Sequence, residues 1–309
     1  MRRAAGFSRL TALVGAALAS AGCGGWLPPP PPPPFSGDSA FALIEQQLAF
    51  GPRVPGTQGH ALQLAWMHEY LRERADTVWL QPFRHVTWEG DSLDLTNVFA
   101  SFRPELADRI LLLAHWDTRP TAEMDPDPAR RADPIPGAND GASGTAVLLR
   151  LADVLSRHSP PIGVDILLTD GEDYTTGDMY LGATYFATHR PANYRPMYGI
   201  LLDMVGDRDG RFPVEGNSRH FAPEIVDRVY TVAEQLGYGE MFPRGFGPMV
   251  EDDHVPLNRA GIPTINIIDF EFGPNNRYWH THEDDLHNVA PEPLEAVGRV
   301  LTALIYRGG

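Results

Sequence analysis

The sequence contains no lysine; all 25 of its basic residues are arginine. That absence removes Schiff-base chemistry, Walker-type phosphate loops and Ser-Lys dyads, each of which needs an ammonium group. Cysteine is almost missing too: the single Cys23 excludes an intramolecular disulfide and any cysteine-rich zinc module. Positive charge is scarce beside 40 Asp and Glu, leaving a formal net charge of −15 and a pI near 5.1. A general nucleic-acid binder needs a basic face, so no nucleic-acid partner is expected. Apolar residues are not scarce. At 43% of 309 residues they can bury a full core.

The chain also lacks a long hydrophobic run near its start. Arg2, Arg3 and Arg9 precede an apolar stretch, residues 10–21, that ends in small residues just before Cys23. A charged segment, a short apolar core and a small-residue cleavage zone read as a signal peptide, too short to span a bilayer. The expectation is cleavage after residue 22 and a lipid on the Cys23 thiol, giving an exported protein anchored in a bacterial cell envelope. Ser20 stands where such sites carry a larger aliphatic residue, so cleavage after Ala21 by the ordinary signal peptidase, releasing a periplasmic protein, is the competing reading. Residues 23–36 then form a tether whose seven prolines, Pro28 to Pro34, hold it extended. The folded domain is expected over residues 37–309.

Within that domain, apolar periodicity predicts helices over residues 40–50, 59–75, 144–157, 222–236 and 292–306. Alternation over residues 77–88 and 93–102 predicts a strand pair with a turn at Glu89-Gly90-Asp91. Continuous apolar runs at residues 110–114, 164–169, 200–202 and 263–268 read as buried strands. The fold class is therefore α/β, a single domain with a central mixed, largely parallel sheet flanked by helices. Residues 118–138, rich in proline and aspartate, read as a loop that shapes a site.

Polar residues follow the buried runs. They are His115-Trp116-Asp117, then Asp140 within Gly137-Ala138-Asn139-Asp140-Gly141 at the start of a helix. Next come Asp170-Gly171-Glu172-Asp173, Asp203 after the third run, and His280 within Tyr278-Trp279-His280-Thr281-His282. In open α/β sheets ligands bind beyond the carboxyl ends of the strands, where these clusters converge. Imidazole and carboxylate donors suit zinc (Zn2+), and two histidines with three carboxylates could hold one ion or two, one carboxylate bridging. Glu172, beside ligand Asp173 but directed elsewhere, would stay free as a general acid and base. Any one of these residues alone reads as a helix cap, a solvated loop or a packed histidine. Together, as unpaired buried carboxylates, they would be costly without a cation.

With Gly51-Pro52-Arg53-Val54-Pro55-Gly56 and Asp252-Asp253-His254 added, the ordered set resembles the zinc-dependent aminopeptidases and the related glutaminyl cyclases over residues 37–309. The resemblance implies that Asp140, Asp173 and His280 hold the principal zinc and that Glu172 shuttles a proton. It assigns His115 and Asp203, with Asp140 bridging, to a second metal site. Leu201-Leu202-Asp203-Met204-Val205-Gly206, Leu236-Gly237-Tyr238-Gly239 and Tyr278-Trp279-His280-Thr281 are similar to the cyclase branch. There Trp279 walls the substrate pocket, and Asp203 and Asp253 hydrogen-bond around the shuttle glutamate. Glu251 falls at a pocket position that often carries an amide or hydroxyl, and no tryptophan follows Asp173 as it does in the animal enzymes. The implied activity is a glutaminyl-peptide cyclotransferase acting as a monomer on the N-terminal segments of peptides or proteins. The alternatives are a zinc aminopeptidase and, from another class, an inactive surface lipoprotein used for binding.

Other residues draw plainer readings. Trp66, Trp79 and Trp88 are expected to pack in the core or along a sheet edge. His60, His68, His85, His158, His189 and His220 are expected at the surface or at caps. Arg53 is read as a tie between loops, His254 as orienting the acidic network, and His282 and His287 as neighbours of the site without a ligand role.

Overall fold

The computed structural model describes Met1 and residues 31–309. The signal peptide, Cys23 and the first part of the proline run lie outside those residues. The folded domain begins with Phe35, which is buried, and Ser36, whose hydroxyl accepts the Ser39 amide and caps α1 (Gly37–Leu48). Thr57 likewise caps α2 (Gln58–Arg72) by accepting the His60 amide. Each such cap is worth about 1 kcal/mol.

An antiparallel hairpin follows, β1 (Thr77–Val86) and β2 (Ser92–Phe102). Then come β3 (Arg109–His115), α3 (Ala142–Arg157), β4 (Gly163–Thr169) and a small hairpin of β5 (Asp173–Thr175) and β6 (Asp178–Met179). The chain continues through α4 (Leu181–His189), β7 (Gly199–Asp203), α5 (Gly216–Phe221), α6 (Pro223–Gln235), α7 (His254–Arg259), β8 (Thr264–Ile268) and α8 (Pro291–Tyr306). The six-stranded sheet runs β1-β2-β4-β3-β7-β8. β4, β3, β7 and β8 are mutually parallel, and β1 and β2 complete one edge in antiparallel fashion.

Because successive strand side chains point to opposite faces, β3 feeds two cores. Ile110, Leu112 and Ala114 join the larger one, with residues of α1, α3, α6 and α8. Leu111 and Leu113 join the smaller one, with Phe186 of α4 and Leu257 of α7. The parallel strands are thus covered on both faces, which is why they read as unbroken apolar runs. Gly144 allows α3 to lie against β7, since a Cβ there would sit 2.3 Å from the Leu202 carbonyl oxygen. The four parallel strands deliver their carboxyl ends, and the residues that follow, to one edge.

The predicted elements form, with ends displaced by up to a turn. α4, α5, α7 and the β5–β6 hairpin had no predicted counterpart: each is too short to establish a period. Among the tryptophans and the histidines expected at the surface, two expectations fail. Trp88 is 86% exposed at the hairpin tip, because it stands beyond the end of β1, where the sheet no longer covers it. His60 is buried rather than superficial: it stacks on Trp116 with 4.3 Å between centroids and meets both Asp170 carboxylate oxygens, at 2.9 and 3.1 Å. Trp66 and Trp79 do pack against the two cores.

Candidate metal centre

His115 is the last residue of β3, and its ring sits beside the entry to α3. Gly141 makes that approach possible: it adopts φ 94°, and a Cβ there would fall 2.4 Å from the Asp117 carbonyl oxygen and 3.2 Å from the His115 ring. Asp140, one residue earlier, is held by its backbone. Asp284 accepts the amides of Asn139 and Asp140 at 2.7 and 3.2 Å. Burial and the nearby Asp140 push the Asp284 carboxyl up to about 8. Arg53 is fully buried below this turn and donates to the carbonyls of Pro136 and Gly137, so it ties loops together as expected.

Asp173 and Glu172 hang from the end of β4 by a shared anchor. Asp117 accepts the Glu172 amide at 3.1 Å and the Asp173 amide at 3.3 Å. Asp203 ends β7. The turn after it is tied to α3 by Val205 donating to Ser143 and Gly206 donating to Asn139. His280 is set by backbone strain, since it occupies the left-handed region at φ 53°. Tyr180 and Met204, at φ 58° and 45°, do the same on other walls of the site. Such conformations cost a non-glycine residue roughly 1–2 kcal/mol each and cluster where surrounding structure imposes them.

Two donor sets result, His115–Asp140–Asp203 and Asp140–Asp173–His280, with Asp140 common to both and every member buried. The His115 Nε2 lies 3.2 Å from both Asp140 Oδ1 and Asp203 Oδ1. The His280 Nε2 lies 3.3 Å from Asp173 Oδ2 and 3.6 Å from Asp140 Oδ2. Charge-assisted hydrogen bonds close to ~2.7–2.9 Å. Ligand atoms ~2.0–2.2 Å from one tetrahedral zinc stand ~3.3 Å apart, which is the spacing found here. Asp173 Oδ2 is also buried without a hydrogen-bond partner, an acceptor left facing the space a cation would fill. The residues fit zinc. The His115 set shows similar spacing, at 3.2 Å, so the geometry offers places for one ion or two.

A loop supplies the outer support. Arg119 donates to Asp173 Oδ1 at 2.5 Å, leaving the orphaned Oδ2 as the oxygen toward the metal position. Glu123 meets the far nitrogen of His280, Nδ1, at 2.8 Å, and Asp125 meets His282 Nδ1 at 2.8 Å and its backbone amide at 3.1 Å. The loop over residues 118–138 therefore shapes the site as predicted, although none of Arg119, Glu123 or Asp125 was singled out. Asp117 was named beside His115 but given no role, and Asp284 was not named. All five are acidic or basic residues in loops rich in such residues, where spacing carries no signal.

Glu172 has no side-chain hydrogen bond among the described residues; its nearest counter-charge is His115 Nδ1, 3.8 Å away. Burial raises its carboxyl well above the usual range, and Asp252, Asp173 and Asp253 push in the same direction against His115. Asp203 and Asp253 do not hydrogen-bond to it, contrary to the expectation. Asp203 turns to His115, and Asp253 accepts the Thr169 hydroxyl at 2.5 Å from beneath the site. His254 pairs with Glu215 at 3.2 Å, not with Asp253. A cavity of about 330 Å³ opens over these groups, with Glu172, Asp203, Asp252, Phe270 and Trp279 in its walls. Trp279 stacks on His280 at 3.7 Å and tilts against Phe270 at 5.5 Å. Glu251 stands on the rim, exposed and paired with Arg259 at 3.0 Å. His287 is exposed and takes no part.

Solved structures similar to the chain include a glutaminyl cyclase from Bacteroides thetaiotaomicron, 38% identical, covering 89% of this chain and 99% of that one with a TM-score of 0.86. A leucine aminopeptidase precursor from the same organism is 37% identical with a TM-score of 0.85, covering 89% and 98%. Among curated relatives, the mouse glutaminyl-peptide cyclotransferase-like protein is 26% identical, with 82% of this chain and 71% of the relative covered. Aminopeptidase YwaD of Bacillus subtilis is 27% identical over 64% of this chain, which spans 41% of that longer protein. Residues 97–305, from within β2 to the penultimate residue of α8, match Peptidase family M28, and the likeness inferred from the motifs is borne out: this chain is a member of that zinc-peptidase family.

Proposed function

We propose that the chain is a glutaminyl-peptide cyclotransferase, converting N-terminal glutamine of peptides to pyroglutamate with release of ammonia. The observation that carries this reading is its likeness to bacterial glutaminyl cyclases along almost their whole length, at 38% identity for those of B. thetaiotaomicron and Tannerella forsythia. Asp140, Asp173 and His280 would hold zinc, which when bound supplies a Lewis acid for the side-chain carbonyl of the glutamine. Trp279 and Phe270 provide an apolar wall for that side chain. Glu172, buried and without a side-chain hydrogen bond among the described residues, takes a proton from the α-amine as the nitrogen attacks the side-chain carbonyl carbon. It returns the proton to the amide nitrogen as the carbon–nitrogen bond breaks and ammonia leaves. The nucleophile belongs to the substrate, in keeping with a chain that has no lysine and no cysteine in its folded domain.

The second reading is a zinc aminopeptidase, favoured by the His115–Asp140–Asp203 set, which offers a second ion a place beside the first. An assay on a glutamine-initiated peptide and on a chromogenic aminoacyl amide separates the two. Pyroglutamate without hydrolysis is the expected outcome; free amino acid without cyclisation overturns it. We also propose that Cys23 carries a lipid and that residues 23–36 hold residues 37–309 off a bacterial envelope membrane, as a monomer. Mass spectrometry of the mature N-terminus tests the lipid.

A further inference from the structure

A second cavity, of about 380 Å³, lies between α4 and α7. It shares two walls with the metal cavity, Tyr180 and Glu251. Tyr180 sits in its left-handed conformation immediately before α4, so its ring stands where the two spaces adjoin. Beyond it the groove is lined by Thr184, Ala187 and Thr188 from α4 and by Val255, Pro256 and Ala260 from α7 and its end. Its charged groups, Glu251 and Arg259, are paired with each other at 3.0 Å on the rim. They cancel, and what remains is chiefly methyl, methylene and aromatic surface with the hydroxyls of Tyr180, Thr184 and Thr188. The metal cavity adjoins two other spaces: one through Met179, lined by Phe83, Arg84, His85 and Tyr185, and one through Phe270, where Arg211, Asp269 and Glu271 stand among Pro213, Phe246 and Pro248. Of the three, the α4–α7 groove shares two walls with the metal cavity where the others share one, and its charged groups are paired with each other.

We propose that the α4–α7 groove is a subsite for the bound peptide and seats an apolar side chain one or two residues beyond the N-terminal residue. The inference rests on the reading above only in that a peptide N-terminus enters the metal cavity. The chain of such a peptide must leave past the rim, and an extended residue advances it by about 3.3–3.6 Å, so the next side chains arrive where the shared walls end. Desolvation against the groove favours a leucine- or phenylalanine-sized group, whereas a charged side chain finds no free counter-charge there.

Thr184 and Thr188 are exposed and lie one helical turn apart on the groove face of α4, so a tryptophan at either position fills the space. The test measures peptide binding by calorimetry to the zinc-loaded Glu172→Gln full chain, whose turnover is strongly reduced. The ligands are Gln-Leu-Phe-amide, Gln-Gly-Gly-amide and Gln-Asp-Asp-amide, and the same three with N-terminal leucine. The apolar peptide should bind about tenfold more tightly than the glycine one, and Thr184→Trp or Thr188→Trp should bring that ratio toward one, with melting curves confirming that each variant is folded. Equal affinity in the parent, a ratio that neither tryptophan changes, a preference for the acidic peptide, or no binding in either series overturns the proposal. A separate pyroglutamate assay on the unmutated chain decides the cyclase reading: its failure, with the apolar preference intact, sinks that reading and leaves the subsite standing.

Discussion

Glu172 is fixed by its backbone and left free at its carboxyl. Its amide donates to Asp117 and its carbonyl accepts from Tyr180, so the residue keeps its place whatever its side chain does. Glu172→Gln should therefore retain zinc by elemental analysis while initial rates fall by roughly 10²–10⁴. Unchanged turnover would remove the proton-transfer role. His280 carries a second prediction. Burial alone would lower its pKa, but Asp173, Glu123 and Asp140 raise it to about 9. Below that value the metal-free ring holds a proton that zinc must displace. Apparent zinc affinity should accordingly rise as pH climbs from neutrality toward 9, and calorimetry in buffers of different ionisation heat should detect proton release at neutral pH. Affinity that is flat with pH would contradict this.

At the scale of elements, the loop over residues 118–138 and the short α5 hold groups whose roles spacing could not disclose. Glu123 orients a ligand from outside the donor set; such partners are worth about 10–100-fold in metal affinity. Glu123→Gln should weaken zinc binding by that order in competition with a chelator, while the fold persists. Glu215 accepts the amides of Asn217, Ser218 and Val250. Burial opposes its charge, but His254 and these amides prevail and hold its carboxyl at about 2. Its contribution is complete above the ordinary glutamate range and is lost as pH falls toward 2. Glu215→Gln should flatten the acid limb of stability measured by denaturant titration. The sequence did disclose the buried strands, whose apolar runs need no partner to be seen, and the histidines and aspartates that cluster after them, whose residue types are rare at such positions. It did not disclose Asp117, Asp284 or the Arg119–Glu123 support, because each works through a contact made across the fold. It also placed Asp203 and Asp253 around Glu172 when their hydrogen bonds go to His115 and Thr169.

For the whole molecule, zinc and stability are linked. The folded chain gathers the buried Asp140, Asp173 and Asp203 at one sheet edge, and the unfolded chain does not, so a cation bound there stabilises the folded state. Removing it with a chelator should lower the melting temperature, and restoring zinc should recover it. A melting curve indifferent to both would mean that the site holds no metal. Gly298 in α8 gives way to the ring of Phe35, where a Cβ would lie 2.3 Å from the ring, so the first buried residue after the prolines is latched under the last helix. Were residues 23–36 the tether proposed above, a pull along them would reach the domain at that latch. The seam between α1 and α8 would then bear the load first, and a bulkier residue at 298, by displacing Phe35, would let such a leash peel α1 away while the sheet stayed assembled.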